Sequence, residues 1–311
     1  MARGKRGRRI GPDSGIQLST FSIVAYDPGN GDLGVGVQSK YFSVGPVVPW
    51  AEAGMGAIAT QAWVNVSYGP KGLNLLREGV PLEEVIRVLT ENDDGRERRQ
   101  LGIVDAGGNS ASYTGSECTA WAGSRQGANY AVQGNILEGE EVVEAMAQAF
   151  ESPEGELAER LVSALEAGQE AGGDARGRQS AALLVVRKDA GRAGYGDRYV
   201  DLRVEDHDTP IKELRRLLNM NYSNANAFRA QALMDEGKAE EALELALEAV
   251  LLSPENDNAH MALCRARFEA GDKAAAIESF REAVRLNAKI ASYVKRSPRW
   301  RFIAEDNEFF A

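Results

Sequence analysis

The chain has 311 residues, 43% hydrophobic and 26% charged, which is a globular balance with length for about two domains. Its net charge of −10 argues against general nucleic-acid binding, and no apolar run approaches the roughly 18 residues of a membrane span. Two cysteines and two histidines, all far apart, give no disulfide framework and no metal-ligand spacing, so neither metal nor other cofactor is expected.

The first nine residues carry Arg3, Lys5, Arg6, Arg8 and Arg9 without an apolar stretch after them, so residues 1–18 are expected to be a disordered basic tail, not a signal peptide. The run Ser19 to Asp27 follows. Thr20, Ile23 and Val24 are β-branched and Phe21 and Tyr26 aromatic, which suits a strand. The turn cluster Asp27-Pro28-Gly29-Asn30-Gly31-Asp32 and a second strand-like run, Leu33 to Gln38, make a hairpin that returns Lys40 toward Thr20. The pair is either a nucleophile beside a cation or an ordinary strand with a solvated lysine.

Ala57 to Ala59 reads as a third buried strand, and two helical patterns follow, Tyr68 to Arg77 and Pro81 to Thr90. Gln100 to Val104 and Ser110 to Thr114 form a second hairpin around Asp105-Ala106-Gly107-Gly108-Asn109. A strand over Ala128 to Gln133 ends in Gly134-Asn135, and helices are expected over 138–150 and 154–168. A loop rich in glycine and charge, Ala171 to Gln179, opens into the apolar run Ser180 to Val186, and a last strand spans Tyr199 to Val204. Hairpins interrupted by helix pairs imply stacked antiparallel sheets covered by helices, an α+β domain over 19–218.

From about Asn224 the composition turns to Ala, Leu and Glu. Gly237 recurs as Gly271, Ala242 as Ala276 and Ala249 as Ala283, each 34 residues on. That period resembles the tetratricopeptide repeat, a scaffold that binds proteins or peptides, and defines a small all-α domain over 219–311. The early aromatic of that repeat is absent, and two units are fewer than the roughly three such arrays need. The helix near Ile290 to Lys295 and the aromatic tail with Trp300, Phe302, Phe309 and Phe310 are candidates to cap the pair.

Polar residues gather at strand ends and in glycine-rich loops, where a rigid scaffold presents functional groups. They are Thr20, Ser39-Lys40, Gln133-Gly134-Asn135 and Asp174 to Ser180. Asn135 is either functional or the residue of a left-handed turn. Asp174 and Arg176 are either a substrate site or a loop ion pair. His207 reads as a cap for the helix after Pro210, and Cys118 as a small packed hydrophobe.

Six stretches carry a specific resemblance: Thr20 to Ala25, Gly34 to Lys40, Val47 to Ala51, Gln133-Gly134-Asn135, Gly172 to Ala182 and Asp201 to Val204. They resemble the N-terminal-nucleophile-hydrolase-like family known as domain of unknown function 1028, over about Thr20 to Leu218. The resemblance implies a four-layer αββα sandwich and an amidohydrolase acting on an unidentified amide or peptide substrate. A threonine hydroxyl needs a base, and the α-amino group of a first residue, with a pKa near 8, can serve. Thr20, Lys40 and Asn135 are thereby expected in catalysis, with Lys40 lowering the amine's pKa. Gln133, Asn135 or the backbone at Gly134 would bind the oxyanion. Ser39, Gln133, Gly134, Asp174, Arg176, Arg178 and Gln179 would surround the substrate.

One departure is specific. Nineteen residues precede Thr20, so the amine exists only if the chain is cut between Ser19 and Thr20, or starts later through a non-standard codon such as that of Leu18. Ser19 is a competing nucleophile if the cut falls one residue earlier. The alternative is a non-catalytic binding or scaffold protein whose helical repeat holds a peptide or protein. Either way a cytoplasmic protein, a homodimer by its sheet edges and its relatives' habits, is the expectation.

Overall fold

The structure is a computed structural model that describes residues 17–119, 121–152 and 154–311. Most of the basic tail expected over residues 1–18 lies outside the described residues. Its last two residues are not tail: Gln17–Leu18 form strand β1. The chain divides into two compact units, one up to Arg215 and one from Arg216 onward. Among the described residues no helix is long and apolar enough to cross a membrane.

In chain order the first unit holds β1, β2 (Thr20–Tyr26), β3 (Leu33–Ser39), β4 (Pro49–Glu52) and β5 (Gly56–Trp63). Helices α1 (Tyr68–Arg77) and α2 (Leu82–Glu91) follow, then β6 (Arg99–Asp105), β7 (Ser110–Thr114), β8 (Trp121–Gly127) and β9 (Tyr130–Leu137). Helices α3 (Glu141–Glu151) and α4 (Leu157–Glu170), strands β10 (Ser180–Val186) and β11 (Arg198–Val204), and the start of α5 (Pro210–Asp235) complete it. One antiparallel sheet runs β1-β5-β6-β7, with β4 also on β5; the other runs β11-β10-β3-β2-β9-β8.

Every second residue of a strand points the same way, and that period decides what each face buries. On β2, Phe21 points to the helices, where it lies beside Gly168 of α4, while Ser22 and Val24 point to the other sheet. Helices α1 and α2 cover the first sheet with Tyr68, Leu73, Leu82, Val85 and Leu89 against Ile58, Leu101 and Ile103. Leu161 and Leu165 of α4 pack over Gly34 and Gly36 of β3. Between the sheets the core changes along the strands. At one end it is apolar, with Val24, Val35, Ala57, Val104 and Ala131; at the other it is polar, with Thr20, Ser39, Gln61, Gln100, Gln133 and Asn135, all buried.

The second unit continues α5 and adds α6 (Ala239–Leu252), α7 (Asp257–Glu269), α8 (Lys273–Leu286), α9 (Lys289–Val294) and α10 (Arg301–Ala304). The small residues of the repeat sit at the helix contacts: Ala242, Ala249, Ala276 and Ala283 are fully buried. Gly237 and Gly271 end α5 and α7 with φ of 80° and 85°, the left-handed cap that L residues adopt at a cost. Asn256 and Asp272 cap α7 and α8 through their side chains. The aromatic tail closes the second helix pair, with Phe302 4.3 Å from Phe268 between ring centroids and Phe309 edge-on to Phe280.

One ionic cluster pins α1 and α2 to the first sheet. Asp93 accepts from Arg99 Nε (2.9 Å), Asn65 Nδ2 (2.8 Å), Tyr68 Oη (2.9 Å) and the Gly95 N–H (2.8 Å). Burial alone would raise the Asp93 pKa, but these four donors outweigh it and hold the carboxyl well below the usual range. A depressed carboxylate stabilises the fold above its unfolded pKa of about 4, and that contribution is lost as pH falls through the folded value. Thermal unfolding of the wild type is therefore expected to weaken more steeply below about pH 4 than that of Asp93→Asn. At pH 7 Arg99→Met is expected to cost about 1–2 kcal/mol in urea unfolding, because it removes the charged donor of a half-buried carboxylate that keeps its other three.

Candidate active site

The register of three strands assembles the site. Thr20 on β2 lies directly across from Ser39 on β3 and from Asn135 on β9, so their side chains share the face between the sheets. Ser180 on β10 lies across from Ser39 on its other side. Thr20 Oγ1 donates to Ser39 Oγ at 3.2 Å, and Ser39 Oγ donates in a very short hydrogen bond to the carbonyl of Ser19. A hydroxyl chain thus links the Thr20 side chain to the carbonyl of the peptide bond before it. Ser19 Oγ lies 3.4 Å from the carbonyls of both Asn135 and Ile136.

A layer of amides supports this end of the sandwich. Gln61 Nε2 donates to the Thr20 carbonyl (3.3 Å) and to Gln100 Oε1 (2.8 Å), while its Oε1 accepts from Ser22 Oγ (2.6 Å). Gln133 Nε2 donates to Ser22 Oγ at 2.6 Å. Asn135 Nδ2 reaches Gln100 Oε1 at 3.0 Å and the Thr20 carbonyl at 3.5 Å. Gln100 Nε2 closes the network on the Gly134 carbonyl at 2.7 Å. The layer needs Gly102 on β6: a Cβ there would sit 1.9 Å from Gln133 Oε1.

Two backbone outliers flank the site. Ile136 and Ala62 have φ of 53° and 64°, in the left-handed region where a β-branched residue is strained. Ala62 pairs with Leu18, and the Ile136 carbonyl faces Ser19. Asn135 itself is an ordinary strand residue; the left-handed position falls one residue later.

The charged residues form a separate clasp at the rim. Asp174 is buried and accepts the backbone N–H of Lys40 and of Arg176, each at 2.9 Å, with the Arg176 guanidinium 3.8 Å away. Lys40 is exposed, and its ammonium reaches the Arg178 carbonyl at 3.5 Å, not the Thr20 hydroxyl. Arg176 and Arg178 are exposed, and Gln179 donates to Asp206 at 2.9 Å. The neighbour of Thr20 is therefore Ser39, the last residue of β3, because the chain turns at Lys40, whose N–H is taken by Asp174. Gln133 is committed to Ser22. Cys118, 3.4 Å from the Arg99 carbonyl, has its thiol pKa raised by burial, against any nucleophilic role. His207 Nδ1 accepts from the Thr209 N–H at 2.9 Å, at the start of α5.

Two cavities of the first unit lie elsewhere. One of about 420 Å³ is walled by α1 and α2 around Tyr68 and Leu89, the other of about 360 Å³ by Gln169, Arg178 and Lys212; Thr20 lines neither.

Comparison with known families now decides the identity of this unit. The profile described as "Family of unknown function (DUF1028)" matches residues 20–214. The chain belongs to the DUF1028 family. A solved DUF1028 structure, from Silicibacter pomeroyi, is 35% identical with a TM-score of 0.59, over 65% of this chain and 88% of that one. A second profile, "Bacterial transcriptional activator domain", matches residues 162–290, so the C-terminal part resembles a helical-repeat domain and not the tetratricopeptide repeat specifically. A search of curated proteins finds no match.

In this DUF1028 domain Gln61, Gln100 and Ser22 are the residues that the sequence pattern alone did not single out. Their signal was present: polar residues at inward positions of otherwise buried strands, Thr20 and Ser22 two apart on one, Gln133 and Asn135 two apart on another. Gln100→Leu removes the donor to the Gly134 carbonyl and the acceptor of two amides. It is expected to cost about 2–3 kcal/mol in urea unfolding, because the partners stay buried and unpaired.

Proposed function

We propose that the first unit is an amide hydrolase whose nucleophile is Thr20 Oγ1, exposed as an N-terminal residue after cleavage of the Ser19–Thr20 bond. The observation that carries the reading is the hydroxyl chain from Thr20 through Ser39 to the Ser19 carbonyl. A donor on that oxygen polarises the carbonyl and stabilises the negative charge that grows on it during attack. Two facing sheets with a helix pair on each support an αββα sandwich of the N-terminal-nucleophile type.

In self-cleavage Thr20 Oγ1 bonds to the Ser19 carbonyl carbon, the C–N bond breaks, and the hydroxyl proton ends on the Thr20 nitrogen. Water then hydrolyses the ester, leaving a Ser19 carboxylate, a free Thr20 hydroxyl and an α-amine. That amine is the base for each later turnover. Ser39 takes the oxyanion role, while Asn135 Nδ2, on the other flank of Thr20, holds the Thr20 carbonyl and Gln100. Lys40, Arg176 and Arg178 stand at the rim, where they would attract the polar end of a substrate.

A second reading, a non-catalytic binding protein, is favoured by the burial of Ser19 and Thr20 in the uncut chain. The helical unit serves either reading as a groove for a peptide or protein partner, in the manner of tetratricopeptide repeats. A cavity of about 310 Å³ there is lined by Phe228, Tyr293, Lys289 and Trp300, with Phe228 68% exposed. If binding is the whole function, deleting residues 220–311 abolishes partner capture and Thr20→Ala does not.

Intact-mass measurement of the purified protein tests the enzyme reading. A terminus at Thr20 is expected in the wild type, an uncut chain of unchanged fold in Thr20→Ala, and processing slowed by about 100-fold in Ser39→Ala. Hydrolysis of amides should rise with pH as the amine loses its proton, levelling above about pH 8. A wild-type terminus upstream of Ser19, with hydrolysis unaltered by Thr20→Ala, would sink the proposal.

A further inference from the structure

We infer that the substrate's acyl side is an extended peptide, with a small residue at the cleaved carbonyl and an aliphatic residue before it, bound as a strand on β5. This rests on the reading of Thr20 as nucleophile. The ester formed in self-cleavage carries Gln17-Leu18-Ser19 on Thr20 Oγ1; the ester formed in turnover carries the substrate's acyl group on the same oxygen. Whatever site holds one holds the other, so the chain's own segment displays the acyl-side recognition surface.

That segment is seated in three independent ways. Its backbone pairs antiparallel with β5, Gln17 across from Trp63 and Leu18 across from Ala62, on the flank of β5 that β4 also uses. A free strand edge of this kind recognises any extended chain through its amides and carbonyls. The Leu18 side chain is fully buried in the apolar cluster that includes Val44, Val48 and Ala59, so the second position is an aliphatic socket. Ser19 is fully buried as well, its hydroxyl held against two backbone carbonyls, which leaves the first position suited to a small side chain that can donate a hydrogen bond. Loss of residues 17–19 vacates the β5 edge and the Leu18 socket together. Ala62, with its φ of 64°, is the cross-strand partner of Leu18.

The atoms balance as for any acyl transfer. Thr20 Oγ1 bonds to the carbonyl carbon of the first-position residue, the C–N bond to the leaving amine breaks with the proton delivered to its nitrogen, and water returns the peptide acid and the free hydroxyl.

The test uses the chain beginning at Thr20, released from a leader by a protease that leaves Thr20 first; the family match itself begins at that residue. Acetyl-Gln-Leu-Ser-aminomethylcoumarin is expected to be cleaved with kcat/KM about 100-fold or more above the Gln-Asp-Ser and Gln-Leu-Trp analogues. Acetyl-Gln-Leu-Ser acid is expected to bind the same chain carrying Thr20→Ala by calorimetry, and not the uncut full chain with Thr20→Ala, whose own segment fills the site. Cleavage of all three coumarins at similar rates overturns the inference and leaves the nucleophile standing. Binding of the Leu peptide but not the Asp peptide, with no amide cleaved, keeps the acyl groove and removes the nucleophile. Neither binding nor preference overturns the inference. If the Thr20-start chain does not fold alone, acetyl-Gln-Leu-Ser added during refolding must restore it and acetyl-Gln-Asp-Ser must not; rescue by neither counts against the groove.

Discussion

The first unit is governed by the cost of burying polar groups between two sheets, a cost met by pairing most of them, although Gln133 Oε1 stays buried without a hydrogen bond. An amide withdrawn from water without a hydrogen bond costs several times what a satisfied one contributes. Gln61, Gln100 and Asn135 answer this by bonding to one another and to the Thr20 and Gly134 carbonyls. The solution works in one register only. Sliding β3 by one residue would set Gln38 across from Thr20 and send the Ser39 hydroxyl to the helix side. The same pairing that satisfies the amides therefore aims the Ser39 hydroxyl at the Ser19 carbonyl.

The apolar half of the layer does different work. Val24, Val35, Ala57, Val104 and Ala131 supply the non-directional burial that holds the sheets together, at roughly 25 cal/mol for each Å² removed from water. The polar half contributes geometry. Division of labour along one layer explains how a region rich in amides can sit in a core without unfolding it. The helical unit buries a smaller polar group, Ser223 and Asn256, which bond to each other. There alanines at the helix contacts and two left-handed glycines set the spacing of the repeat, and an aromatic cluster seals its end.

The sequence was informative wherever a period repeats. Helix α1 spans the residues its pattern marks, and the 34-residue recurrence locates the buried alanines and both capping glycines. It was uninformative where pairing is made by backbone alone. β8, with Trp-Ala-Gly-Ser-Arg-Gln-Gly, has no apolar alternation because it is an edge strand, half-buried along most of its length with none of its residues fully buried. β9 runs to Leu137, beyond the expected end at Gln133, because the turn lies at Asn129 with φ of 70° and the glycine at 134 is inside the strand. The candidate residues Thr20, Ser39 and Asn135 were visible as polar strand ends, and three-strand register brings them together. The placement of Lys40 was not, since the chain turns there and leaves it at the rim. Gln61 and Gln100 show as polar residues at inward positions of the facing sheet, but which residues they meet is set by how the two sheets pack.

The turn at Asp27 to Asp32, which joins β2 to β3, stands at the far end of seven-residue strands from Thr20, about 20 Å away. Within it Asp27 Oδ1 accepts from the Gly29 amide and Asn30 Oδ1 from the Asp32 amide, while the buried Asp32 carboxylate accepts from Arg187 at 2.7 and 2.8 Å. Lineages could lengthen, shorten or decorate its exposed residues 28–30, ahead of the anchored Asp32, without moving any residue of the polar layer. A single-residue deletion within either strand would erase the layer at once. Tolerance to insertion in this domain is thus polarised along the strand axis, permissive at the turn and strict at the Thr20 end.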